Sequence, residues 1–284
     1  MLTTNPFAEI AAFIPPAAMQ VFIILMVLLV VGGTVLDMMH KKSAKYFFEN
    51  AEKAKKSAKR TVSSGEKAAL AAKVLTNEVL TSGEFANPKR RVSHLFTMYG
   101  FILFAATTAI MIFGYLGAGE TTPGIWPLLW HLGALMLCFG GYWFWFSIRV
   151  DVNSEGAKWY KLVPADLFIL SLLATCTFAL IWSFLQSTGG VSKLSNLFFI
   201  LFILSAVVLF GGVYFSKFAH MFFKPAAAYQ KRVTRADGSR ENLPAEYDPA
   251  DPEVQKRFPD IPMYLGKNPP NMGLGIKREA PNHY

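Results

Sequence analysis

Five apolar runs, each close to the length of a bilayer core, decide what this chain can fold into. They cover residues 17–38, 96–117, 126–148, 165–186 and 195–222. A helix of roughly 20 residues, at about 1.5 Å rise each, crosses the hydrocarbon layer. In lipid only helices and closed barrels satisfy their own backbones, and unbroken apolar runs of this kind are helices. The expectation is an all-α membrane protein with five transmembrane helices. Hydrophobic residues make up 53% of the 284, yet the formal charge is +9. The charges must therefore be gathered between the runs.

Their placement sets an expected orientation. Residues 1–17 hold no Lys or Arg, the 117–125 connection has only Glu120 as a charge, and 187–194 has only Lys193. The stretch between the first two runs holds thirteen basic residues, in phrases such as "HKKSAKYFFENAEKAKKSAKR" and "NPKRR". Arg149, Lys158 and Lys161 lie between the third and fourth runs, and the tail is basic again. The N-terminus is expected outside and the C-terminus in the cytoplasm. No Lys or Arg precedes the first run and "GGTVLDMMHKK" lacks a convincing cleavage site, so that run reads as a retained helix rather than a signal.

Four regions follow. Residues 1–38 are the N-terminus and first helix, and 39–92 are a basic, helix-forming cytoplasmic segment rich in Ala, Lys and Glu until Gly83 and Pro88. Residues 93–224 are a four-helix bundle, and 225–284 are a tail with nine prolines. The basic segment suits an anionic lipid surface at roughly 1 kcal/mol per cation. Because it abuts a membrane helix on both sides, a nucleic-acid partner is not expected. The tail cannot bury a core of its own. One short helix is expected in it, started by "DPADPEVQKRF", and Phe258, Ile261, Tyr264 and Leu265 are candidate anchors on a cytoplasmic partner.

Cys138 and Cys176 lie within apolar runs without metal-ligand spacing, which excludes an iron–sulfur cluster in this chain. The histidines are His40, His94, His131, His220 and His283. His94 opens the second run and His220 closes the fifth, so both are expected at the inner boundary. Two imidazoles at one depth on antiparallel helices can take one iron from opposite sides, as bis-histidine haem ligation requires. His40, in "DMMHKK", is a substitute ligand at the same boundary. His131 lies near the outer face beside Trp126 and Trp130 and is a candidate quinone contact. The plainer reading of any one of these histidines is a hydrogen bond to a headgroup or a carbonyl.

The phrases "RRVSHLFTMYGFILF" and "YFSKFAHMFFKPAA" resemble the haem b membrane subunits of the respiratory nitrate reductase gamma type. That group includes the membrane domains of heterodisulfide-reductase-like and quinone-interacting sulfate-reduction complexes. The resemblance covers residues 88–225 and implies that His94 and His220 ligate a haem b on the cytoplasmic side. It also marks a departure, since the positions of the second histidine pair in two-haem members are Phe104 and Phe202 here. One haem is therefore implied, with quinone as exchangeable substrate. The long basic segment and Pro-rich tail look most like members that serve dissimilatory adenylylsulfate reductase. That implies a flavin and iron–sulfur enzyme as cytoplasmic partner, and a prokaryotic cytoplasmic membrane as the location. Two other readings stand beside electron transfer: a haem-free anchor recruiting such an enzyme, and a transporter. The latter is disfavoured by the lack of mid-helix charges and of repeats.

Overall fold

The computed structural model describes residues 2–41, 43–83, 85, 87–117, 121–152, 155–216, 218, 220–239 and 250–265. These residues are helical and contain no strand. Five helices are long and apolar enough to cross a membrane: Pro16–His40, Pro88–Gly114, Ile125–Ile148, Pro164–Gly189 and Lys193–Gly211. The chain divides into two units, Met1–Ala44 with Asn87–Phe223, and Lys45–Ala86 with Lys224–Tyr284.

The first unit holds α1 (Pro6–Ile10), α2 (Pro16–Lys41), α5 (Pro88–Gly114), α6 (Ile125–Trp143), α7 (Leu167–Gly189) and α8 (Lys193–Gly211). Short connections make α5, α6, α7 and α8 antiparallel in turn. One end of the bundle therefore carries α1, the end of α5, the start of α6 and the 190–192 turn. The other, the basic end, carries the start of α5 and the α6–α7 loop. α5 and α6 touch backbone to backbone. A Cβ on Gly100 would lie 2.7 Å from Leu137 N and 2.8 Å from Gly133 O, and one on Gly140 would lie 2.6 Å from Ser93 O. Ser93 and Gly100 on α5, and Gly133 and Gly140 on α6, each stand seven residues apart, so the small residues form matching stripes. In lipid, where no hydrophobic drive joins two helices, such close approach is what holds them. Ser93 Oγ adds a hydrogen bond to Gly140 O at 2.8 Å.

The interior towards the α1 end is aromatic. Phe104 stacks on Trp130 at 5.0 Å and meets Phe202 edge-on at 6.4 Å, while Trp182 stacks on Phe202 at 5.8 Å. The short helix α1 closes this end. Asn5 Oδ1 accepts from Phe7 N at 3.0 Å, which caps α1 and directs the Phe7 ring between Trp130 and Trp182. Gln186 Nε2 donates to Pro6 O at 2.7 Å, and Gln186 Oε1 accepts from Trp182 Nε1 at 2.8 Å.

The fifth span corrects an expectation. The apolar run 195–222 predicts one helix reaching His220, but α8 stops at Gly211. A 3-10 turn, Val213–Phe215, and an extended Ser216 follow. His220 instead opens a separate helix, α9 (His220–Ala236). The break falls at the Gly211–Gly212 pair, where a Cβ on Gly212 would lie 2.5 Å from Val208 O. The start of the tail is likewise helical through Ala236, because "AAAYQKRVTRA" favours helix and places its apolar residues on one face.

The second unit contains α3 (Ser43–Lys56) from residue 45 onward, α4 (Ser64–Val74) extended by a π turn (Leu75–Leu80), α9 from residue 224, α10 (Pro252–Arg257) and α11 (Asp260–Leu265). The basic segment is thus two helices broken at 57–63. That break is occupied: Lys59 N and Arg60 N donate to Asp237 O at 2.8 and 3.2 Å, and Arg60 Nε donates to Ala236 O at 2.6 Å. The linker thereby caps the C-terminus of α9, where a cation is favoured. Asp251 caps α10 through Glu253 N at 2.9 Å, as "DPADPEVQKRF" predicts.

Candidate functional site

At the basic end, Asn87 Oδ1 accepts from Lys89 N at 3.0 Å and Arg90 N at 3.3 Å, and Pro88 supplies the first helical position. His94 follows in the second turn of α5 and is exposed. Phe101 lies seven residues on, two turns along the same stripe of the helix. Its ring meets Phe218 edge-on at 6.4 Å and Phe210 at 6.5 Å. Phe218 is buried and also meets Phe168 of α7 at 5.3 Å, and its N–H donates to Ser216 Oγ at 3.2 Å. The segment that leads into α9 is therefore pinned by Phe218 against the α5 stripe that carries His94. His220 begins α9 two residues later.

His40 lies on the last turn of α2. Its Nδ1 is 3.3 Å from Leu36 O, and its ring meets Tyr214 edge-on at 5.7 Å. The three segments carrying His40, His94 and His220 thus belong to one unit. His283 lies outside the described residues. Among the described residues no group of three or more His, Cys, Asp or Glu is arranged to hold a metal ion. A bis-histidine haem requires only two protein ligands.

His131 is buried in the other half of the bundle. Nδ1 is 2.7 Å from Pro127 O, which fixes the proton on that nitrogen, and Nε2 accepts from Ser183 Oγ at 2.8 Å. With both ring nitrogens engaged, a ligand carbonyl would have to displace Ser183. The shallow recess beside the ring is walled by apolar side chains, among them Leu135, Leu180 and Phe184. Phe104 and Phe202 are buried at 6.4 Å from each other, and Trp130 and Trp182 fill the space around them. Among the described residues this half is packed with aromatic rings.

In the tail, Phe258 lies between α10 and α11, exposed, with the Arg257 guanidinium 5.6 Å from its ring centre. Ile261, Tyr264 and Leu265 belong to α11.

Sequence reasoning missed one built feature of the basic end. Arg149 is buried, and its Nε and Nη2 donate to Asp166 Oδ1 and Oδ2 at 3.3 and 2.6 Å. Nη1 donates to Lys158 O at 2.7 Å and Nη2 also to Lys161 O at 2.8 Å, while Trp145 lies 4.3 Å beneath the guanidinium. Opposite charges at the two ends of one interhelical loop were the available signal. Comparison with family models, curated proteins and solved structures finds no match to this chain.

Proposed function

We propose that this chain is the membrane electron-transfer subunit of an oxidoreductase complex. It passes electrons between membrane quinone and a cytoplasmic flavin and iron–sulfur enzyme, of which adenylylsulfate reductase is the candidate. The setting is a prokaryotic cytoplasmic membrane, with the N-terminus outside and the basic end facing the cytoplasm. The observation that carries the reading is the Phe101–Phe218 contact, which holds the lead into His220 against the His94 stripe of α5. In this reading His94 and His220 are the axial ligands of one haem b. The haem would supply a one-electron relay between a two-electron quinol and the soluble partner. Around it, Phe101, Phe168, Phe210 and Phe218 exclude water and supply the low dielectric that sets a potential. A second haem does not fit, because aromatic rings occupy the positions of the other histidine pair.

The filled half of the bundle favours a second reading, a haem-free anchor that recruits the enzyme through its basic second unit. A reduced-minus-oxidised spectrum of the purified full chain separates the two. A low-spin b-type difference spectrum supports electron transfer; its absence from protein isolated from haem-replete cells leaves the anchor.

A further inference from the structure

The loop between α6 and α7 is built more firmly than a connection requires. Arg149 binds the carbonyls of Lys158 and Lys161, and Asp166 Oδ2 accepts from Val163 N at 2.9 Å. Ala157 N closes back on Arg149 O at 2.9 Å. Buried groups thus fix the main chain of 157–163, so what its side chains present is set by the fold. They present apolar and cationic groups together. Trp159 is 56% exposed, Tyr160 61% and Leu162 61%, with the exposed Lys158 before them and Lys161 among them. Lys158 Nζ lies 5.8 Å from the Tyr160 ring. Among the described residues neither lysine is in a salt bridge, whereas the neighbouring Arg90 is neutralised by Glu155 at 3.0 Å. The nearby Asp151 is also exposed.

The aromatic surface does not begin at the loop. Tyr142 and Phe146, both on the exposed side of the third span, stack at 6.1 Å, Phe146 meets Trp159 at 6.3 Å, and Trp159 meets Tyr160 edge-on at 5.6 Å. One ladder therefore runs from the lipid-facing side of a span out onto a rigid loop and ends among cations. Acyl chain, then headgroup, then anionic charge is the sequence of environments that a phospholipid leaflet offers along the same line. We propose that Trp159, Tyr160 and Leu162 seat this loop in the headgroup layer and that Lys158 and Lys161 bind anionic phospholipid there. The inference rests on the membrane-spanning fold and is independent of the haem.

The test uses the full chain reconstituted in vesicles of phosphatidylcholine, with phosphatidylglycerol in a second set. In each set one lipid is brominated near the top of its acyl chains. The emission of Trp159 is taken as the difference between the unmodified chain and Trp159→Phe. It should be quenched, and several-fold more effectively by the anionic than by the zwitterionic brominated lipid at equal mole fraction. Lys158→Gln with Lys161→Gln, two exposed changes, should abolish that preference while leaving quenching in place. Equal quenching by the two lipids with the unmodified lysines would overturn the headgroup site. No quenching by either would mean that the loop stands clear of the bilayer, as a docking face for a soluble protein.

Discussion

Arg149 and Asp166, seventeen residues apart in sequence, form a two-toothed ion pair whose side chains are 2% and 12% exposed. The pair joins the end of the third span to the start of α7 and fixes the main chain of 157–163. A buried charge left without its partner is costly, by about 3–5 kcal/mol. Asp166→Asn and Arg149→Leu should each destabilise the fold by that order and lower its unfolding midpoint. Arg149→Met combined with Asp166→Leu should recover part of the loss, but not the loop, since the carbonyls of Lys158 and Lys161 stay unmet. Thermal unfolding in detergent, with limited proteolysis between 150 and 163, checks both halves; a fully protected loop in the double variant would refute the role.

The small-residue stripe makes a sharper contrast. An Ala methyl at Gly133 would lie 2.7 Å from Phe104 N and 3.0 Å from Gly100 O, backbone atoms that yield only if α5 and α6 part. Gly133→Ala should cost about 1–3 kcal/mol. Gly114→Ala, with nothing within 4 Å, should be neutral or slightly stabilising. Unfolding of both in mixed micelles compares them directly.

On the haem reading, His94→Ala and His220→Ala should each abolish the b-type spectrum, and His283→Ala should leave it unchanged. A normal low-spin spectrum after loss of His220 would move the ligand to His40.

Acid should loosen the linker of the second unit. The Arg60 guanidinium hydrogen-bonds the Glu66 carboxylate and holds it below its ordinary range. A depressed folded value means that the contribution is present above the unfolded pKa, about 4.3. It is lost as pH falls through the lower folded value. Both groups face solvent, so the effect is local. Hydrogen exchange at Lys59 and Arg60, corrected for intrinsic rate, should quicken below pH 4. Glu66→Gln should remove that dependence; an unchanged pH profile in this variant would rule the pair out as its cause.

Deleting residues 243–284 should leave the five spans and any haem intact, yet detach the soluble partner. Docking through charge weakens with salt, so co-purification of the full chain should fall at high ionic strength. Equal recovery of partner with the truncated chain at low and high salt would remove the tail from the docking surface.

The spans were legible because each apolar run must be a helix in lipid, and most starts agree within three residues. The second is the exception. α5 begins at Pro88, eight residues before the apolar run, because hydropathy marks where a helix meets lipid while Asn87 and Pro88 mark where it begins. The fifth run was over-read for the converse reason. The rest of the run to residue 222 is apolar enough to extend the span, but the Gly211–Gly212 pair ends it, and Phe218 is buried without continuing that helix. The boundary expected between bundle and tail at residues 224 and 225 falls within α9, which contains Pro225. The histidines could be assigned to an end of the bundle from sequence. The clasp between Arg149 and Asp166 went unread, since each charge alone reads as a helix terminus and only their places at the two ends of one loop hint at a pair.

The seating of Phe7 between Trp130 and Trp182 fixes an order of events. The carbonyl of Pro6 is held by Gln186, 180 residues later, so the site that receives α1 does not exist until the fourth span has been synthesised. Chains are made from the N-terminus at roughly 5–20 residues per second, so α1 waits many seconds for its berth. The helix that closes this end of the bundle cannot come to rest before the span that holds it.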